Sequence, residues 1–258
     1  MLAATLVLCA PVVAAAQEAD ELSKQLSNPV ASLISVPFQS NLDWGAGPDG
    51  NGFSYLMNVQ PVIPITLNDD WNLISRTVLP IAYADYLPDG SEFGLGDITQ
   101  SFFLSPSKPS PGGLIWGLGP AILLPTATDD FFGSNKWGLG PTGVALVQKD
   151  PWTVGMLANH IWSVAGDSDA SDVNQTFLQP FVSYALGHGR SLSLNTESTY
   201  DWDAEEWTVP INLMFSQVMK LGPQPVQLQI GGQYFAEKPE GDPDWGLRAS
   251  FTLLFPKK

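Results

Sequence analysis

Apolar and polar residues alternate along much of this chain, and the clearest case is its last stretch. Trp245, Leu247, Ala249, Phe251, Leu253 and Phe255 form one row, with Gly246, Arg248, Ser250 and Thr252 between them. A strand sends successive side chains to opposite faces, so this segment has one apolar and one polar face. The pattern recurs upstream. Leu192, Leu194, Thr196, Ser198 and Tyr200 alternate with Ser191, Ser193, Asn195, Glu197 and Thr199. Trp207, Val209, Ile211, Leu213 and Phe215 form another row, and Val226, Leu228, Ile230, Gly232 and Tyr234 a third. Each run has the roughly 9–11 residues that a tilted strand needs to cross a bilayer.

Twelve such segments are predicted, at 33–43, 53–65, 71–84, 96–105, 113–124, 137–148, 152–164, 174–185, 190–200, 206–219, 225–236 and 245–256. Their connections alternate between short ones, such as Lys149–Pro151 and Leu186–Gly189, and longer ones, such as Asp85–Leu95 and Pro125–Lys136. Transmembrane barrels join their strands in this way, with short periplasmic turns and longer outer loops. The expected fold is all-β: a closed antiparallel up-and-down transmembrane β-barrel. An even strand number places both termini in the periplasm. Aromatic residues collect near the strand ends (Trp44, Trp71, Trp137, Trp152, Trp162, Trp207, Trp245), as rings at the two membrane interfaces do.

Composition sharpens this picture. Charged residues make up only 14% of the 258, yet mean hydropathy is near zero and the longest apolar run is at the start. Low charge without a long apolar run fits strands whose two faces average out. Residues 1–16 read as a secretory leader, with Ala14-Ala15-Ala16 as small residues before Gln17. Cys9 is the only cysteine and falls in that leader, so disulfides, thiol catalysis and cysteine metal sites are not expected in the remainder. Residues 17–30 read as a periplasmic segment with a short helix: Leu22 and Leu26 share a face, and Asn28-Pro29 is a stop. Docking at the barrel and a loosely held segment are both open readings. The barrel itself is expected over 31–258. A net charge of −15 argues against a nucleic-acid partner.

The stretch Asp20-Glu21-Leu22-Ser23-Lys24-Gln25-Leu26-Ser27-Asn28-Pro29-Val30-Ala31-Ser32-Leu33-Ile34-Ser35-Val36-Pro37 resembles the opening of a group of bacterial outer-membrane "transporter" proteins. These are related to the barrels assigned to a MetA pathway of phenol degradation, sometimes mislabelled neuromedin U. Trp71-Asn72-Leu73-Ile74-Ser75-Arg76-Thr77, Gly94-Leu95-Gly96-Asp97-Ile98 and Leu157-Ala158-Asn159-His160-Ile161-Trp162 extend the likeness. So do Asn195-Thr196-Glu197-Ser198-Thr199-Tyr200-Asp201-Trp202 and Pro243-Asp244-Trp245-Gly246-Leu247-Arg248. The resemblance implies an outer-membrane barrel passing small, aromatic or hydrophobic compounds, and it supplies no catalytic residues. The end at Phe255 also resembles the aromatic signal read by the barrel-assembly machinery, although Pro256, Lys257 and Lys258 follow it. Outer-membrane lipid and lipopolysaccharide are the expected surroundings.

The candidate pore lining follows from the alternation. Asn58, Gln60, Asn72, Arg76, Asn195, Glu197, Gln227, Gln229, Gln233 and Arg248 are expected to point inward. Either they line a path for polar or amphipathic solutes, or they bond one another and seal the barrel. Twelve strands lie between barrels filled by side chains at about eight and open channels at 16–18. Gly117 and Gly119, with Gly138 and Gly140 in the next segment, are also assigned inward. They would form a smooth lane, a seat for an inward-folded loop, or a bend. Prolines within strands (Pro37, Pro61, Pro64, Pro80, Pro120, Pro141, Pro180, Pro210) predict kinks, bulges or a lateral gap. Acidic outer loops suit calcium bridging, or simply a cation-favouring mouth. Asn159-His160 with Ser163 is the one enzyme-like set, and adjacent strand residues point to opposite faces. The reading is a passive channel for small solutes, not an enzyme, with no nucleotide or metal cofactor. A closed structural barrel acting through its loops, and a lipid-modifying barrel, are the alternatives.

Overall fold

The computed structural model describes residues 10–87 and 90–256. Residues 1–9 of the stretch read as a leader, with Cys9, and the terminal Lys257 and Lys258 lie outside the described residues. The chain forms a closed antiparallel barrel of twelve strands, preceded by one helix, α1 (Ala10–Leu26). Four of the twelve are each divided into two pieces. In chain order they are β1 (Ile34–Ala46), β2 (Gly52–Val59) continued by β3 (Val62–Thr66), and β4 (Trp71–Leu87). Next come β5 (Gly90–Leu95) continued by β6 (Ile98–Pro106), β7 (Leu114–Leu124), β8 (Lys136–Lys149), β9 (Trp152–Gly166) and β10 (Asn174–Gly187). The last are β11 (Arg190–Thr196) with β12 (Ser198–Asp201), β13 (Glu206–Thr208) with β14 (Pro210–Leu221), β15 (Gln224–Phe235) and β16 (Trp245–Phe255). Each predicted segment falls on one barrel strand, but the expected long connection Asp85–Leu95 is largely strand: β4 runs to Leu87 and β5 over Gly90–Leu95 pairs back onto it, extending the wall as a hairpin. The sheet closes where β16 pairs β1, from Ile34↔Phe255 to Trp44↔Trp245.

Proline explains the divisions. Residues opposite one another at a hydrogen-bonded position of an antiparallel pair exchange two N–H···O bonds, and proline can only accept. Gln60 N donates to Pro37 O (2.9 Å), Thr77 N to Pro61 O (3.1 Å), Gly96 N to Pro80 O (3.0 Å) and Glu197 N to Pro210 O (3.4 Å). None of these bonds can be returned, and the strands are interrupted at these four pairs. At a further level Pro120 faces Pro141 across β7 and β8. There the ladder lapses on both flanks, between Ser101↔Ala121 and Leu104↔Leu118 and between Leu139↔Trp162 and Thr142↔Asn159. The strands nevertheless stay close, because a Cβ on Gly119 or Gly140 would overlap the carbonyl oxygen of Phe102 or His160. These glycines let neighbouring backbones approach where the ladder lapses.

The outer face is apolar. Leu118, Val154, Met156, Leu213 and Ile230 are exposed there, and rings gather at both rims. At the long-loop rim Trp44 stacks on Trp245 (4.8 Å), and Tyr200 meets Trp202 (4.9 Å) and Trp207 (4.8 Å). At the short-turn rim Trp152 meets Tyr184 (4.7 Å) and Trp71 meets Trp116 (6.0 Å).

The helix is docked, which decides between the two readings of that segment. It starts at Ala10, within the stretch read as a leader, and ends just before Asn28-Pro29. Leu22 packs with Leu33, Val218 and Leu254, flanked by Ala19, Leu26 and Ala31. Around this contact Asp20 accepts from Gly189 N (2.6 Å), and Glu18 pairs Lys220 (2.7 Å) and Lys24 pairs Asp150 (3.0 Å). Burying one leucine is worth roughly 1.5–3 kcal/mol, whereas each exposed ion pair adds at most about 1 kcal/mol. Packing of Leu22 therefore holds the helix, and the polar contacts fix its register at the short-turn end.

Candidate functional site

The lumen holds two regions of different chemistry. Toward the short turns it is filled. The chain after α1 turns into the barrel, and Val30 is buried among Ile74, Phe103, Val144, Leu146 and Leu157. Ser27 Oγ lies 3.1 Å from Thr153 Oγ1, Gln148 Nε2 donates to Lys24 O (2.8 Å), and Asn72 Nδ2 reaches Ser32 Oγ (3.5 Å). Residues 27–33 thus form a plug. Gly117 lies under it, since a Cβ there would sit 3.3 Å from Val30 Cγ1. A seat for an inserted segment was one of the three readings of these glycines. Gly138 instead faces Ile161 and Leu123.

Beyond the plug lies a chamber of about 260 Å³. Asn58, Gln60, Arg76 and Glu197 border it, joined by Gln39, Gln175 and Gln179. Cavities of about 230 and 170 Å³ continue from it along the plug, where Gln227 and Gln229 line both and Asn195 the smaller. Arg248 and Gln233 belong to a buried brace beside the chamber. Arg248 Nη1 and Nη2 donate to Glu197 Oε1 (2.9 Å) and Oε2 (2.8 Å), Nε donates to Asn41 Oδ1 (2.6 Å), and Nη2 reaches Gln233 Oε1 (3.5 Å). Glu197 also accepts from Gln179 Nε2 (3.3 Å). Asn195 accepts from Asn212 Nδ2 (2.9 Å). Arg76 differs, because Nη2 donates to Gln60 Oε1 (3.0 Å) and no carboxylate reaches ion-pair distance of it among the described residues.

Sequence reasoning missed the apolar half of the lumen. Val78, Leu123, Ile161 and Phe177 border the chamber. Their strands β4, β7, β9 and β10 carry apolar residues on both faces, so alternation gives no signal there. It also missed Asp97, which follows the Pro80 interruption. One carboxylate oxygen accepts from Thr126 N (3.0 Å) and Ala127 N (3.1 Å), the other from Ser134 N and Ser134 Oγ (both 2.7 Å). Asp97 thereby pins the 125–135 loop, and Phe132 packs over the inward-facing Gly94. Phe131 meets Tyr86 at 6.3 Å. The Gly-Leu-Gly-Asp run carried this signal, with small residues under a loop and an acid to cap its backbone.

At the mouth, Lys136 and Ser163 hold Asp172 (3.1 and 3.0 Å). The Lys136 hydrogen bond keeps this exposed carboxyl below its ordinary range, helped by Ser163. Burial pushes the Asp242 carboxyl above the ordinary carboxylate range, against the attraction of Lys238. The enzyme-like set is dispersed. Asn159 borders the chamber, whereas His160 is on the outer face with Nδ1 2.7 Å from Thr176 Oγ1 and its ring beside Trp162. Ser163 is engaged with Asp172.

No protein-family model and no curated protein matches the sequence. Among solved structures, the chain is similar to an outer membrane channel from Pseudomonas putida F1. The TM-score is 0.67 at 17% identity, over 88% of this chain and 96% of that one. It is also similar to the NanC porin, with TM-score 0.50 and 11% identity over 87% and 100% of the two chains. Outer membrane phospholipase A from Escherichia coli gives 0.45 at 11% identity, over 91% and 98%. At such identities the likeness speaks for the fold: a closed twelve-stranded β-barrel of the kind outer-membrane channels use.

Proposed function

We propose that this protein is a passive outer-membrane channel for small solutes, with its long loops outward and both termini in the periplasm. The observation that carries this reading is the amide-lined chamber, which continues as cavities along the plug. A barrel built only as a wall would fill that space with side chains, as eight-stranded ones do. The resemblance of the sequence to outer-membrane transporters extends the solute class to aromatic or hydrophobic compounds. Lipid and lipopolysaccharide surround the outer face, and Phe255 is offered to the assembly machinery. Residues 27–33 close the short-turn end, so passage requires that they shift.

A second reading, a closed structural barrel, draws on the apolar cluster around Val30. One experiment separates the two. Ser27 and Thr153 have side-chain oxygens 3.1 Å apart, so the Ser27→Cys/Thr153→Cys pair should form a disulfide that locks the plug. In planar bilayers the oxidised protein should be silent, and reductant should restore the wild-type current. If neither the wild type nor the reduced variant ever conducts, the closed barrel is the better account.

A further inference from the structure

We propose that the chamber is a binding site for small amphipathic organic anions, a ring or short hydrocarbon bearing one carboxylate, with Arg76 as the anchor. This rests on the channel reading only for its physiological meaning; the site itself is argued from the chamber.

Two charged side chains border the chamber, Arg76 and Glu197. Glu197 is already engaged. Both of its oxygens accept from the Arg248 guanidinium, and Oε1 also accepts from Gln179. Arg248 in turn spends its donors on Glu197, Asn41 and Gln233, and does not border the chamber. Asp43 also lies inside, one inward position beyond Asn41 toward the long loops, and does not border the chamber either. Arg76 therefore supplies the one charge in the chamber wall with no ion pair among the described residues; Glu197 attracts it only from beyond ion-pair distance, with both carboxylate oxygens turned to Arg248. A guanidinium has five N–H donors in a planar fork, of which Gln60 takes one here. That fork matches a carboxylate with two parallel charge-assisted bonds.

The remainder of the wall selects the rest of the ligand. Val78 lies one inward step above Arg76 on β4, and Leu123, Ile161 and Phe177 add further apolar surface. On β9 and β10 these apolar residues alternate with Asn159, Gln175 and Gln179, so amide and apolar contacts stand side by side. An inorganic anion would leave the apolar wall unused, and a neutral hydrocarbon would leave the guanidinium unpaired. Size points the same way. A cavity of about 150 Å³ holds benzene, and drug-sized ligands take roughly 300–1,000 Å³, so about 260 Å³ suits one ring and a carboxylate.

The acidic outer loops do not forbid such a ligand. At physiological salt exposed charges are largely screened beyond about 8 Å, whereas a charge inside the barrel is screened much less. The anion meets a damped field outside and a strong local one at Arg76.

The test is calorimetric titration of the folded full-length protein in detergent with benzoate, and with benzamide as its neutral isostere. Benzoate should bind at least about tenfold more tightly than benzamide. Arg76→Gln should lower benzoate affinity to the benzamide level without changing benzamide, and Arg76→Lys should retain part of the difference. Equal binding of the two ligands, absence of benzoate binding, or full benzoate affinity in Arg76→Gln would overturn the proposal. Folding of each variant is checked by the mobility difference between unheated and boiled samples. Should Arg76→Gln fail to fold, Arg76→Lys decides, since a point charge without the planar fork must lose part of the benzoate preference and leave benzamide binding unchanged; an undiminished preference would overturn the proposal. Bilayer current is measured separately. Arg76-dependent binding without current leaves this site standing and removes the channel reading; current without benzoate preference does the reverse.

Discussion

Replacing Arg248 by methionine is expected to destabilise the barrel far more than a typical charge removal. Its side chain is 3% exposed, and its partner Glu197 lies three barrel strands away, so the pair spans the inner faces of β14 and β15. The variant removes two parallel charge-assisted hydrogen bonds to Glu197 and the one to Asn41. Glu197 would keep one hydrogen bond, from the Gln179 amide, and the longer-range attraction of Arg76. Breaking a buried pair from one side costs roughly 3–5 kcal/mol, since a desolvated charge is left uncompensated. Removing both charges is far milder. Arg248→Met combined with Glu197→Gln should lose less than about 2 kcal/mol, because neither charge then has to be held inside. The assay is guanidinium unfolding of barrels refolded in vesicles, followed by the fluorescence of the nine tryptophans. Losses for the two single variants that simply add in the double variant would refute the reasoning. So would a loss below about 1 kcal/mol for Arg248→Met, the value of a solvent-exposed pair.

The wall offers a paired test. Leu118→Arg places a charge on the lipid face and should cost roughly 2–4 kcal/mol near the midplane, measured by the same unfolding titration. Gly119→Ala should also impair assembly, because its Cβ would overlap the Phe102 carbonyl, whereas Gly232→Ala meets open space and should be tolerated; heat-modifiable migration on gels reports both. At the mouth, Asp172 has a depressed folded-state pKa, so its latch to Lys136 is fully present above the ordinary carboxylate value of about 3.9 and is lost as pH falls through the lower folded value. Protease cutting in the 167–173 loop, measured with an acid-stable protease, should therefore be flat from pH 7 to 5 and rise below pH 4, and Asp172→Asn should remove that rise. The outer loops carry Asp129, Asp130, Asp203, Glu237 and Glu240 with few bases, so open channels should prefer potassium to chloride at low salt and lose the preference near 1 M.

Much of the fold was legible because a barrel wall has water or protein on one side and lipid on the other, which writes the side of each residue into its polarity. The rows through Leu192, Val226 and Trp245 are of this kind. Proline announced the interruptions at Pro37, Pro61, Pro80 and Pro210 by its missing donor, but Pro64 and Pro180 lie within unbroken strands, so proline alone does not say which positions break. The writing fails where the inside is apolar too. Val144, Leu146 and Leu157 read as general apolar positions until Val30 is seen among them. Leu22 and Leu26 announced a helical face, but their partners Val218 and Leu254 are far along the chain, so the docking was invisible. Inward positions such as Arg76 and Arg248 followed from alternation alone. Their different fates depended on which strands stand around the ring from them, a property of closure and not of any local pattern. Gly119 shows a third limit, because where the ladder lapses beside Pro120 its Cβ position falls on the Phe102 carbonyl.

The joint between β1 and β16 runs for eleven uninterrupted residue pairs and joins the chain's first strand to its last. Every other neighbouring pair can zip from a nearby turn, at a loop-closure cost that grows only slowly with separation. This seam has no turn to start from, so it must form across more than two hundred residues, and topology of that kind folds slowly. Until it forms, the sheet has two long free borders of unpaired N–H and C=O groups, the arrangement that invites pairing with other chains. The Trp44–Trp245 stack at one end of the seam and the Asn41–Arg248 bond within it act after closure, as rivets that slow reopening. A chain cut before Trp245 would keep eleven strands and both borders, and its fate would be decided by what it met before any bilayer accepted it.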